Sequence, residues 1–229
     1  DRELVERTRR SLRVAIRTLA DVRDRDVGRS LILKLKSGSV IDPALKRRIL
    51  GLSDSDRRVA LLHAETHWPK NLDRRLIGLL RRGEASVKTV IQRTRAEAWQ
   101  QRRRAIDILD LLGRRYAPVE LHDLRRRIRG LRYALEVLAE VDTAANARVL
   151  QLKPLQSALG DSQDRIVLSR WLAGQAARFR RSDPGLSKAL RFQAAHFRDQ
   201  SIQAHVLFLK FKPRTVLERL ALHVDARSD

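Results

Sequence analysis

The stretch LHDLRRRIRGLRYALEVL, residues 121–138, carries five arginines in its first twelve positions, together with a histidine and a tyrosine. Spacings of three and four put side chains on one face of a helix. At ~100° per residue, His122, Arg125, Arg126, Arg129, Arg132 and Tyr133 fall within about 120° and run about 15 Å along the axis. Guanidinium groups are planar forks suited to phosphate oxygens. A row of them is chemistry for holding a chain of phosphates.

Two other stretches invite a metal reading. His122 and Asp123 form the pair seen in metal-dependent phosphohydrolases. On a helix they point about 100° apart, and no other His or acidic residue nearby has metal-ligand spacing. HAETH, residues 63–67, places His63 and His67 at i,i+4 with Glu65 between them. The Glu is not where a zinc helix of the HExxH type needs it, and Trp68 and Pro69 end the helix at once. A surface or core histidine pair is the expectation there. His196, His205 and His223 are isolated.

The elements that must position the basic row are helical almost throughout. Leu121, Leu124, Ile128, Leu131, Leu135 and Leu138 recur at 3, 4, 3, 4, 3. This is an apolar seam of about 100° beside the basic ribbon. Solvated helix faces usually mix charges, because like pairs at i,i+4 are unfavourable. Here Arg125–Arg129 and Arg129–Arg132 are like pairs that only Glu136 offsets. The pattern predicts helices over about 3–36, 43–52, 55–68, 71–82, 85–113, 118–141, 145–160, 161–181, 184–211 and 214–223. Pro43 and Pro118 suit first turns, HWPKN is a break, and Ser182 or Asp183 is a candidate cap. No alternating run of strand length competes. The expected class is all-α, built from packed antiparallel helices.

Composition sets the partner class. The chain has 229 residues, a net charge of +22, 49 basic residues of which nine are lysine, and no cysteine. Disulfides, thiol nucleophiles and cysteine metal sites are excluded, and no run of eighteen apolar residues exists. The charge calls for a polyanionic partner. With no Met and an opening on Asp1, the chain is expected to be part of something longer.

A weak repeat supports that expectation. LADVRDRDV, residues 19–27, matches LGDSQDRIV, residues 159–167, at an offset of 140, and Arg13 falls opposite Lys153. At the same offset His122 maps to a position before Asp1.

The helix bearing His122, Arg125, Arg126, Arg129, Arg132 and Tyr133, followed by LKPLQSALGDSQDRIVL with Lys153, Leu159, Gly160, Asp161 and Asp164, resembles the CHAD family, the conserved-histidine α-helical domain. The match is specific over 118–170. LADVRDRDV is similar to the first-half counterpart, and NLDRRLIGLL, residues 71–80, more loosely to the helix ending that half. The resemblance implies helical bundles in a pseudo-twofold arrangement around a basic central channel. It implies one domain over 1–229, with a first half of about 1–113 lacking its N-terminal helix and a second of about 114–229. It also implies non-catalytic binding of inorganic polyphosphate, with no cofactor, metal or catalytic residue, in the cytoplasm or at polyphosphate granules.

On this basis Arg125, Arg129 and Arg132 are assigned charge-assisted phosphate contacts. Arg126 and Lys153 flank them, Arg13 is the counterpart of Lys153, and Arg75 is a further contact. His122 and Tyr133 are hydrogen-bond donors. Asp161 and Asp164 are expected to orient arginines from inside the bundle or to cap helices. Nonspecific nucleic-acid binding is the alternative, since phosphate contacts dominate it. Stacking on single strands wants exposed aromatics, and Trp68, Trp99 and Trp171 are expected in the core. A metal-dependent phosphohydrolase is a further alternative. Attraction to anionic lipid is allowed by the charge, but no helix has the exposed apolar face needed for insertion.

Overall fold

A computed structural model describes residues 2–36, 38, 40–81 and 86–220. These form eight helices and no strand among the described residues: α1 Arg2–Leu33, α2 Pro43–His67, α3 Leu72–Arg81, α4 Val87–Leu112, α5 Pro118–Ala139, α6 Thr143–Arg178, α7 Pro184–Lys210 and α8 Pro213–Arg219. The all-α class is as expected. Residue 85, the last residues of the final expected helix and His223 lie outside the described residues.

Helix ends follow local chemistry. Pro43 opens α2 behind Asp42, whose carboxylate accepts from the Ala44 and Leu45 amides; its ring pre-sets φ and its missing donor is not needed there. Pro184 opens α7 behind Asp183, the cap chosen over Ser182, which accepts from the Leu186 amide at 2.9 Å. That bond, joined by Arg48, holds the Asp183 carboxyl below its ordinary pKa. Asn71, before α3, is left-handed at φ 61°, a conformation asparagine tolerates.

Two expected breaks are absent. The segments 43–52 and 55–68 are one helix, α2, and 145–160 and 161–181 are one helix, α6. Near the first expected break, tertiary partners take the carboxylates of Asp54 and Asp56. Asp54 accepts from Arg29 Nε at 2.9 Å, and Asp56 Oδ2 accepts from Trp171 Nε1 and Gln175 Nε2, both at 2.8 Å. At Gly160 the helix runs on, with Arg125 of α5 close by.

The chain divides into two compact units: Asp1–Glu84 with Val167–Ala195, and Ala85–Ile166 with His196–Asp229. In the first, α1 packs on α2 and α3. Arg57 pairs with Asp26 at 2.5 Å, and Lys46 Nζ donates to the Leu33 and Leu35 carbonyls at the end of α1. The later turns of α6 approach α1 so closely that a Cβ at Gly28 would stand 3.3 Å from Leu168 Cδ1. Asp56→Ala leaves the buried Trp171 indole without its acceptor. It is expected to cost about 1–3 kcal/mol, read as a lower urea midpoint by tryptophan fluorescence.

In the second unit, α4 lies along α5 and α8 against α4. Its core joins Ala98, Ala105 and Leu109 of α4 to the α5 seam, to Leu152, Leu155 and Leu159 of α6, and to Phe208 and Leu217. Arg102 donates to the Leu217 and Glu218 carbonyls at the end of α8, where a cation is favoured. Tyr116 and Ser162 share hydrogen bonds with Ser201, and His205 is buried beside Tyr116 and Phe208. Burial pushes the His205 pKa down.

Helix openings recur at an offset one residue longer than the 140 of the weak repeat. Arg2, Pro43 and Leu72, which open α1, α2 and α3, each stand 141 residues before Thr143, Pro184 and Pro213, which open α6, α7 and α8. The two copies differ in burial: Leu159 is 2% exposed, whereas Leu19 is 47% exposed.

Candidate functional site

All six seam residues of α5 are buried, with Ala134 beside them. Burying the seam fixes which way the basic ribbon faces.

Two contacts set the register between α5 and α6. A Cβ at Gly160 would stand 3.8 Å from Arg125 Nε, and the Gln163 side chain lies close enough to the His122 ring to raise its pKa. The residue numbers in each pair have the same sum, so the helices run antiparallel. That register puts Lys153 level with Arg132, about 10 Å further along at 1.5 Å per residue. Lys153 lies two turns before Gly160 on the same stripe of α6, and its side chain is exposed.

The arginines therefore do not splay into open solvent. Arg125, Arg129 and Arg132 are half-buried, while Arg126 is exposed. Arg132 Nη1 lies 3.3 Å from Glu136, and its guanidinium stands 5.0 Å from the centre of the Tyr133 ring. Arg127, off the ribbon, pairs with Asp123 at 3.4 Å, so the Asp beside His122 serves as an arginine partner. Arg125, Arg129 and Arg132, half-buried along one face with Arg126 exposed beside them, make a surface that favours a bound polyanion.

His122 sits in the field of this row. Burial of its ring lowers its pKa below 6.5 first; the Gln163 hydrogen bond opposes this, and Arg125, Arg126 and Arg129 lower it further. The lowering favours the neutral ring, which keeps one N–H donor.

The other expected residues are placed as follows. Arg13 is exposed on α1, and Arg75 on α3 donates to Ser11 Oγ at 2.6 Å; both are in the first unit, whereas His122 to Tyr133 and Lys153 are in the second. Asp161 and Asp164 lie well inside α6, away from its ends. Asp161 pairs with Arg165 one turn along its own helix at 3.5 Å, and its side chain is largely exposed, not inside the bundle.

Two of the three tryptophans correct the expectation of burial. Trp171 is buried, but Trp68 is 46% and Trp99 36% exposed. Trp68 ends α2 beside Pro69, and Trp99 carries the Arg103 guanidinium 5.4 Å over its ring. His63 and His67 stack at 4.1 Å, with His67 Nδ1 directed at the His63 carbonyl. Among the described residues no three His, Cys, Asp or Glu side chains group as a metal site. None of the described helices is long and apolar enough to cross a membrane.

Sequence reasoning missed Gln163 as the partner of His122. A spacing signal existed, since Gln163 lies three residues after Gly160, but only the α5–α6 register makes it readable.

The family model of the CHAD domain matches residues 1–173. The chain belongs to the CHAD family. The match to the CHAD domain takes in the ribbon of α5, Lys153 and the Gly160–Asp164 stretch that meets it. No curated protein and no solved structure matches the chain.

Proposed function

We propose that this chain binds inorganic polyphosphate without turning it over. The observation that carries the reading is the ribbon itself: Arg125, Arg129 and Arg132 are half-buried along α5, with Arg125 against Gly160 and His122 beside Gln163. A merely solvated face would leave such side chains free. Repeating phosphates match the length and donor pattern of the row, with Arg125, Arg126, Arg129, Arg132 and Lys153 as cations and His122 and Tyr133 as neutral donors. The same reading assigns Arg13 and Arg75, in the first unit, to phosphate contacts there. It includes the pseudo-twofold pair of halves around a basic channel, and cytoplasmic association with polyphosphate granules as the cellular consequence.

The test is a titration with long-chain polyphosphate at physiological salt, with single-stranded and duplex DNA as competitors. Polyphosphate is expected to resist displacement. Nucleic-acid binding is the second reading, favoured by exposed Trp68 and Trp99, on which bases can stack; equal displacement by DNA would establish it. Release of orthophosphate during incubation with polyphosphate and a divalent cation would overturn the non-catalytic part.

His122 gives the binding a pH signature. Its free-state pKa lies below 6.5, and a phosphate chain beside it raises the pKa in the complex. Binding then takes up a proton. Affinity rises as pH falls through the pKa of the complex and levels off below the free-state pKa, by at most about tenfold per pH unit for one proton. His122→Gln is expected to flatten this dependence relative to wild type in titrations between neutral and mildly acidic pH.

A further inference from the structure

Beside the ribbon, on the side away from α6, a groove runs between α4 and α5. Arg93, Thr94 and Glu97 form one wall, and Gly130, Tyr133, Ala134 and Val137 the other. The groove is shallow and open to solvent, with a volume of about 460 Å³. Gly130 lets the two helices pack closely at its inner edge: a Cβ there would stand 3.2 Å from Gln101 Cδ, whose side chain packs across this point.

The lining differs in kind from the ribbon. Tyr133 is half exposed and offers an aromatic face, and Ala134 and Val137 extend it with apolar surface. Glu97 presents a carboxylate already oriented by Gln101 Nε2 at 2.5 Å. Gln101 Oε1 is buried with no donor among the described residues. Arg93 adds a cation on the same wall as Glu97. A bare phosphate chain has no use for an aromatic shelf and is repelled by a carboxylate. A flat ring bearing an amine suits both, stacking on Tyr133 and donating to Glu97.

We infer that this groove is a base subsite, and that the chain takes aminopurine nucleoside polyphosphates with the base on Tyr133 and the phosphates on Arg126 and Arg129. On the helical wheel Tyr133 lies between those two arginines, so a base and its phosphates reach both without crossing α5. Glu97 sets the preference for a base with an exocyclic amine over uracil, which has none. The inference rests on the polyphosphate reading for its phosphate contacts.

The experiment titrates the full chain, without divalent metal, with ATP, UTP, inorganic tripolyphosphate and long-chain polyphosphate. ATP is expected to bind about tenfold tighter than tripolyphosphate, with UTP between the two. Tyr133→Phe keeps the ring and should keep the ATP advantage; Tyr133→Leu should abolish it, while the two variants bind tripolyphosphate alike. Glu97→Gln should bring ATP closer to UTP. If ATP shows no advantage, or if Phe and Leu lose it equally, the base subsite is overturned while long-chain binding leaves the polyphosphate reading standing. If neither ATP nor long-chain polyphosphate binds, both are overturned.

Discussion

Arg126→Ala, Arg129→Ala and Lys153→Ala combined are expected to lower affinity for long-chain polyphosphate about 100-fold and to leave the fold intact. Each side chain is assigned a charge-assisted phosphate contact. Such contacts contribute about 1.5–3 kcal/mol when well enclosed and less when water competes, so about 1 kcal/mol each is the working figure. The loss should carry a salt signature. Phosphate contacts release condensed counterions, at roughly 0.7–0.9 per contact on nucleic acids. Three lost contacts flatten the dependence of log affinity on log salt by about 2. Arg125 and Arg132 are poorer choices for this test. Arg125 packs against Gly160, and Arg132 is tied to Glu136 and Tyr133, so their loss would mix binding with packing. Stability should not fall in the triple variant. Arg129 sits at i,i+4 from Arg125 and i,i+3 from Arg132, and removing like pairs relieves a few tenths of a kcal/mol. An unchanged or slightly raised urea midpoint beside collapsed binding is the expected pair of results; unchanged affinity would return the ribbon to a solvated face.

The opposite face of the same helix should behave in the opposite way. Leu131 is fully buried in the core of the second unit, among α4, α5 and α6 side chains. Leu131→Ala is expected to cost about 2–5 kcal/mol, from lost transfer free energy and the cavity left behind. That is a large part of the 5–15 kcal/mol typical of a whole domain. A lower midpoint by circular dichroism should be accompanied by lost polyphosphate binding only where the unit has unfolded. Leu131→Met, which nearly conserves volume, should cost less than about 1.5 kcal/mol. If Leu131→Ala left the midpoint unchanged, the seam would not be the wall that aims the ribbon.

These two faces are legible in the sequence because a regular helix fixes which residues share a face. The spacing of Leu121 to Leu138 needs only 3.6 residues per turn, and all six are buried. Pro43, Pro118 and Pro184 mark starts for an equally local reason, since a residue without an N–H is tolerated where no helical acceptor is waiting. The expected gap after residue 52 failed because Asp54 and Asp56 have two competing uses. A carboxylate beside a helix amide caps it, but one beside Arg29 or the Trp171 indole leaves the helix to run on. Nothing in residues 53–56 says which partner arrives, because the indole is 115 residues away.

The tryptophans show the same limit. Trp68, Trp99 and Trp171 all sit in apolar surroundings in sequence, yet only Trp171 is buried. Leu19 and Leu159 occupy matching positions in the repeat and differ in burial because α5 packs with Leu159 in one core. By itself the sequence determined the helical class, the seam, the composition of the ribbon and the membership of His122 and its arginines in one face, since all of these follow from backbone periodicity within a single helix. Tertiary structure alone decided that Arg125 lies against Gly160, that Gln163 lies beside His122 and burial lowers the pKa of that ring, that Lys153 stands level with Arg132, and that Gln101 packs over Gly130 beside the groove at Tyr133. Those features depend on the register between helices, which is set by how whole faces interlock.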